Sequence, residues 1–227
     1  MAVAAPDRSG ITRASRVPTV LVIFIAAGAI GMQFARLAGA GSLVTPFILL
    51  ASTSFVALGI ASGALRTAMG RVSICGLVCC WIGDMVGPRN FLLGLGAFLV
   101  GHLFFAASFT VHGIEPRRAG IASGIVSVVT IATGALLWPY VPLAERFHLV
   151  AYCIVISIML IAAAGARPGL PLAIPAAVLF YISDVCVARW RYADSALDGY
   201  LCYVLYYAAC ALFALNTRPA LRSPRAG

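Results

Sequence analysis

Apolar residues in this chain occur in long continuous runs separated by short polar segments. The first run, Val17 to Phe34, contains 18 residues and follows a polar segment with Arg8, Arg13 and Arg16. A helix of about 20 apolar residues is long enough to cross the hydrocarbon core of a bilayer. This run is too long for the apolar region of a signal peptide and leads into further runs. We therefore predict that it is the first transmembrane helix.

Seven further apolar runs predict seven more spans, because none shows the one-sided stripe of a surface helix in a soluble protein. Their approximate bounds are Leu43 to Ser62, Val72 to Val86, Phe91 to Val111, Gly120 to Tyr140, Phe147 to Ala166, Leu170 to Trp190 and Tyr200 to Asn216. The predicted fold is an all-α integral membrane protein with a single bundle of about eight transmembrane helices. Residues 17–217 form the bundle, and residues 1–16 and 218–227 form cytoplasmic tails.

Composition supports the bilayer as the solvent. The hydrophobic fraction is 62%, charged residues make up 10%, and the mean hydropathy is +1.01, values far from those of soluble domains. Eight spans and their short loops use nearly all 227 residues. No soluble domain fits in the remainder, so any site must lie within the bundle.

The basic residues indicate the orientation of the bundle. All 16 are arginine, and the formal net charge is +9. Eleven fall on the side of the predicted termini and five on the opposite side, so the positive-inside rule predicts that both termini are cytoplasmic. No basic patch with interleaved aromatic residues is present, which argues against nucleic acid as a partner. Aromatic residues of the opposite face form a predicted interfacial belt: Trp138, Tyr140, Trp190, Tyr192 and Tyr200.

The seven cysteines all lie inside predicted spans, at positions 75, 79, 80, 153, 186, 202 and 210. They form no CxxC pair and have no histidine partner at metal-ligand spacing, so we expect apolar packing rather than a disulfide framework or a metal site.

Two acidic residues fall within predicted spans, Asp84 in the third and Asp184 in the seventh. An acidic side chain costs at least about 2.5 kcal/mol at the bilayer centre, so each is a candidate functional residue. The remaining acids fall in predicted termini or loops, where solvation is sufficient: Asp7, Glu115, Glu145, Asp194 and Asp198.

His102 lies in the fourth predicted span and Tyr207 in the eighth. At 1.5 Å per residue, His102 is about 16 Å below the level of Phe91, near the midplane. Tyr200, Tyr203 and Tyr207 share one face of the last span, and Tyr207 is too deep for a purely interfacial role. The helical rise therefore allows one polar pocket with both aspartates. The alternative is an aromatic packing stripe that contains a hydrogen-bonded histidine.

Four segments occur in a recognisable order: Gly83-Asp84, then FLLGLGAFLVGHLFF from Phe91, then AAVLFYISD ending at Asp184, then a tyrosine-containing last span. This set resembles the YhhN-like lysoplasmalogenase family over roughly residues 43 to 216. Its members show a GD, an F-x-x-G-l-x-A-F-x-x-G-H segment and a late G-A-x-x-F-x-x-S-D. The chain departs from the family at Thr45, where many relatives carry lysine, and at Ala176, where the late motif opens with glycine.

The resemblance implies hydrolysis of the vinyl ether of a lysoplasmalogen to a fatty aldehyde and a glycerophospho-base, without a cofactor or metal. The reaction requires protonation of the outer alkene carbon and a nearby anion, and two buried carboxyl groups are able to provide both. The implied site residues divide into two groups. The implied catalytic residues are Asp84, Asp184, His102 and Tyr207. The implied residues that bind the lysophospholipid are Arg89, Arg189, Ser183 and Tyr203.

Two other functions fit the same residues, since intramembrane Asp and His also mark proton pathways. One is a small proton-coupled transporter, and the other is a non-catalytic lipid-binding membrane protein. Clustering of the acids toward one face favours the enzyme. Arg89 and Arg189 are also typical of ordinary interfacial arginines. The arginine-rich, lysine-free composition indicates a bacterial cytoplasmic membrane, and the sequence leaves the oligomeric state open.

Overall fold

The computed structural model describes residues 8–218, with side chains described from Arg16 onward. Within this range the fold is all-α, and eight helices are long and apolar enough to cross a bilayer. The predicted polytopic fold is therefore confirmed. The helices are α1 (Arg8–Leu37), α2 (Gly41–Ala61), α3 (Ala68–Val86), α4 (Phe91–His112), α5 (Pro116–Leu137), α6 (Arg146–Gly165), α7 (Ala173–Ala193) and α8 (Ala196–Leu215).

Helix ends differ from the predicted spans where polar residues join a helix. The first helix begins at Arg8, inside the predicted N-terminal tail, and residues 1–7 and 219–227 lie outside the described range. The last helix begins at Ala196, four residues before Tyr200, and carries Asp198 into the bundle, where it is buried. The expectation that Asp198 is solvated is therefore wrong, because an arginine of α7 compensates its charge.

Short polar connections separate the helices. The Thr67 side chain accepts a hydrogen bond from the Gly70 amide at 3.0 Å and caps α3, and Asn90 caps α4 through the Leu93 amide at 3.1 Å. These caps satisfy amides that the first helical turn leaves without partners. Asn90 is the last residue of the loop of four residues that joins α3 to α4.

Sequential antiparallel pairs form the bundle. The most extensive packing is between α1 and α2, α3 and α4, and α7 and α8, whereas α5 packs mainly against α6 at the periphery. Apolar side chains on the outer side of α5, including Ile125, Val128 and Ile131, are exposed as expected for a lipid-facing surface. The odd-numbered helices end at one membrane face, which is called the cavity face below.

The α3–α4 pair packs unusually closely. A Cβ atom on Gly94 would lie 2.5 Å from the Gly87 Cα, and a Cβ on Gly83 would lie 2.8 Å from the Phe98 ring. Glycine is therefore required where the two backbones meet. This contact places the end of α3, with Asp84, directly beside α4.

Candidate functional site

A cavity of about 520 Å³ lies inside the bundle toward the cavity face. Every helix except α5 contributes to its described lining, which is mostly apolar. Asp84 and Asp184 both line it, from α3 and α7 respectively. The structure thus brings the two intramembrane acids to one cavity of the size and character of a small-molecule site.

Asp84 accepts hydrogen bonds from hydroxyl groups of two other helices. The Ser52 hydroxyl of α2 and the Tyr206 hydroxyl of α8, the latter at 3.0 Å, both donate to Oδ2. The side chain is 6% exposed. Among the described residues no hydrogen bond reaches Oδ1, so that oxygen is left for the cavity. Hydroxyl donors directed at one carboxylate oxygen stabilise the ionised form.

Asp184 has different neighbours. Its Oδ2 lies 3.1 Å from His102 Nε2, and its Oδ1 accepts a hydrogen bond from the Tyr152 hydroxyl at 3.1 Å. His102 is completely buried and packs edge-on against Phe180, with ring centroids 4.4 Å apart. The side chains of His102 in α4 and Asp184 in α7, which the sequence placed in one possible pocket, are therefore in direct contact.

The opposite edge of the His102 ring determines where a proton lies. Nδ1 is 2.7 Å from the Phe98 carbonyl oxygen, which only accepts, so Nδ1 carries hydrogen. Nε2 lies 3.1 Å from Asp184 Oδ2, but among the described residues neither atom has a hydrogen-bond partner of good geometry.

The remaining predicted residues of α7 and α8 lie at or behind the cavity wall. Ser183 and Tyr203 line the cavity, and the Ser183 hydroxyl donates to the Cys202 carbonyl at 2.8 Å. Tyr207 is buried and does not line the cavity, and its hydroxyl has no hydrogen-bond partner among the described residues. Its ring packs against Tyr206, with ring centroids 4.8 Å apart, so Tyr207 lies behind the residue that donates to Asp84.

Arg89 and Arg189 lie outside the described lining of the cavity. Arg89 is exposed and donates to the Met85 carbonyl at 3.3 Å. The Arg189 Nε lies 3.1 Å from Asp198 Oδ2, so its charge is compensated. Their part in phosphate binding stays a prediction. Arg36 of α1 lines the cavity instead.

Four residues of this site were absent from the sequence prediction: Arg36, Ser52, Tyr152 and Tyr206. Ser52 gave no signal, because hydroxyls within spans commonly bond to their own helix. Tyr206 is adjacent to Tyr207, and the facial pattern selected only the latter. Tyr152 is typical of a packing residue within a span, and Arg36 is typical of an arginine that follows a span.

The two departures from the family motifs have different surroundings. Thr45 is exposed and does not line the cavity, whereas the neighbouring Val44 and Ile48 do. Ala176 is fully buried within α7. Neither position therefore changes the described wall of the cavity.

Comparison with known proteins identifies the family of this chain. The model of the YhhN family matches residues 40–217, which includes both aspartates. Lysoplasmalogenase TMEM86B of Sus scrofa is 30% identical over 145 residues, 62% of this chain. The chain aligns with about 60% of the length of that relative. No solved structure matches the chain. Because the family model covers most of the sequence and ends within the described bundle, this integral multi-pass membrane protein belongs to the YhhN family.

Proposed function

We propose that this protein hydrolyses the vinyl ether bond of a lysoplasmalogen, releasing a fatty aldehyde and a glycerophospho-base. The observation that carries the proposal is one apolar cavity lined by two carboxyl groups in unlike surroundings. Asp84 accepts hydrogen bonds from two hydroxyl groups, and Asp184 lies 3.1 Å from His102 Nε2 and accepts a hydrogen bond from Tyr152. A paired acid and anion is the arrangement that this hydrolysis requires.

Asp184 is the proposed acid. Its Oδ2 lies 3.1 Å from His102 Nε2, and in the proposed resting state the pair carries one transferable proton. Transfer of this proton to the outer alkene carbon breaks the C=C π bond and forms an oxocarbenium ion. His102 then remains neutral beside the Asp184 carboxylate, and Tyr152 donates to the new charge through Oδ1.

Asp84 is the proposed anion. Its charge stabilises the adjacent oxocarbenium ion electrostatically, and Oδ1 takes a proton from the water that attacks the cationic carbon. Ser52 and Tyr206 hold the carboxylate through Oδ2, with Tyr207 behind it. These hydroxyls act as positioning groups, because they contact the carboxylate rather than the reacting atoms.

The water addition gives a hemiacetal. Its collapse breaks the bond between the former vinyl carbon and the glycerol oxygen, which receives the proton held by Asp84. The hemiacetal hydroxyl returns its proton to the Asp184–His102 pair. One water is consumed, the aldehyde and the glycerophospho-base leave, and both carboxyl groups recover their starting states.

The proposed substrate also fits the position of the site. The cavity face gives access from the interfacial region, and the apolar wall of the cavity suits an alkenyl chain. Ser183 and Tyr203 lie where they are able to contact the glycerol and its chain. From the arginine distribution we further propose a bacterial cytoplasmic membrane with both termini in the cytoplasm.

The test is aldehyde release from a defined lysoplasmalogen by the purified protein in detergent. Asp84→Asn and Asp184→Asn should each lower kcat at least about a hundredfold. The matched control is Asp194→Asn, because Asp194 is exposed and has a φ of 49°, a left-handed conformation that asparagine accepts readily.

Each result discriminates between the functions. Release by the wild type that both variants lose and the control keeps supports the hydrolase. No release from folded wild type refutes it, and proton or substrate flux into liposomes would then identify a transporter. Undiminished release by either aspartate variant contradicts the assignment of the pair.

A further inference from the structure

Arg36 lies in the last turn of α1, at the cavity face. It is the one cation among the described residues that line the cavity. Its Nη1 donates to the Gly199 carbonyl at 2.8 Å. Three aromatic rings surround its guanidinium carbon at 5.1 to 5.4 Å from their centroids: Trp190, Tyr200 and Tyr203.

Other arginines of this face are neutralised or directed elsewhere. Arg189 pairs with Asp198 at 3.1 Å, and Arg191 lies 3.5 Å from Glu145. Arg36 forms no ion pair with any carboxylate in the described part of the chain. Its partners, a carbonyl oxygen and aromatic faces, hold the guanidinium in position without cancelling its charge.

A fixed guanidinium with unused N–H donors is suited to a phosphate group. Arginine carries five N–H donors in a planar fork, and one of them is used by Gly199. Arg–phosphate contacts are commonly bidentate and strong. An anion is therefore the ligand that completes this part of the cavity.

The position along the helices matches a lysophospholipid. Trp190, which Arg36 contacts, is six residues beyond Asp184, or about 9 Å along α7. Tyr203 is three residues before Tyr206, or about 4.5 Å along α8. A glycerol backbone separates the phosphate from the vinyl ether by a distance of this order.

From this geometry we infer that Arg36 binds the phosphate of the lysophospholipid at the mouth of the cavity, an inference that rests on the proposed function. Arg36 precedes residues 40–217, the part of the chain that matches the family model. The family match therefore does not itself assign a role to Arg36. A phosphate is shared by ethanolamine and choline lipids, so Arg36 selects phospholipid over neutral lipid and not one headgroup over another.

The test compares Arg36→Gln with wild type on two substrates, a lysoplasmalogen and the corresponding 1-alkenylglycerol without phosphate. We expect KM for the phospholipid to rise about tenfold or more with kcat within about twofold, and KM for the alkenylglycerol to stay unchanged. The KM of Arg36→Lys for the phospholipid should lie between those of the wild type and Arg36→Gln, because lysine keeps the charge and lacks the planar fork. Arg146→Gln is the matched control, since Arg146 also stacks on a tryptophan, Trp138 at 4.6 Å, but does not line the cavity.

A binding measurement separates this inference from the hydrolase proposal. A 1-alkyl lysophospholipid lacks the vinyl ether, and its Kd by calorimetry should rise about tenfold or more in Arg36→Gln even if no vinyl ether is cleaved. Equal weakening of binding for the 1-alkylglycerol would mean that Arg36 has only a packing role. An effect in Arg89→Gln and none in Arg36→Gln would place the phosphate elsewhere. Inorganic phosphate that binds as tightly as the lysolipid would show a free-anion site and overturn the lipid assignment.

Discussion

Removal of the hydroxyl groups that hold Asp84 tests the role of this carboxylate without altering the carboxylate itself. Ser52→Ala and Tyr206→Phe each delete one hydrogen bond to Oδ2. A hydrogen bond to a charged group contributes about 1.5–3 kcal/mol, so each variant should lower kcat by about ten- to a hundredfold. Since both donors share one oxygen, the double variant should lose less than the product of the two factors.

Aldehyde release in mixed micelles gives kcat for the four proteins, and thermal denaturation shows that each remains folded. Tyr181→Phe is the control, because its buried hydroxyl bonds to Thr130 at 2.8 Å and it does not line the cavity. Tyr181→Phe should lose about as much stability as Ser52→Ala and Tyr206→Phe, and it should keep its kcat. Full activity in folded Ser52→Ala and Tyr206→Phe would refute the view that Asp84 works as a held anion.

Three further predictions concern the acid, the helix packing and the orientation. His102→Gln should lower kcat about a hundredfold in the same assay, because the variant removes the imidazole beside Asp184, the proposed acid. Gly94→Ala should lower the melting temperature, since a Cβ would lie 2.5 Å from the Gly87 Cα and overpacking costs about 1–3 kcal/mol. Gly96→Ala, with no atom within 4 Å of a Cβ, should not destabilise. Green fluorescent protein fused to the C-terminus should fluoresce if that terminus is cytoplasmic, and a dark fusion would contradict the positive-inside argument.

The prominent polar residues were accessible to sequence reasoning because the bilayer makes them costly. Asp84, Asp184 and His102 stand out in apolar runs, and the helical rise put them at related depths. The structure joins His102 to Asp184 but gives Asp84 separate partners. Depth alone does not specify the rotation of a helix about its axis, so the division into two unlike carboxyl environments was not predictable.

Arg36 and Tyr206 were missed because the sequence offers an ordinary local explanation for each of them. Arg36 follows the first span, where an arginine is expected on topological grounds. Only the packing of α1 against α8, and of α8 against α7, brings it onto Tyr203 of α8 and Trp190 of α7. Tyr206 and Tyr207 lie next to each other, and their roles are separated by a rotation of about 100° along α8.

The sequence by itself determined the class of fold, the number of spans and the presence of Asp84 and Asp184 within them, because continuous apolar runs and their interruptions are local properties of the chain. Only the tertiary structure decided that α5 stays outside the cavity and that Ser52 and Tyr206 reach Asp84. It also placed Arg36 at the mouth of the cavity without an ion-pair partner among the described residues. These features depend on which helices are neighbours and on how each is rotated, and both follow from packing between residues far apart in the chain.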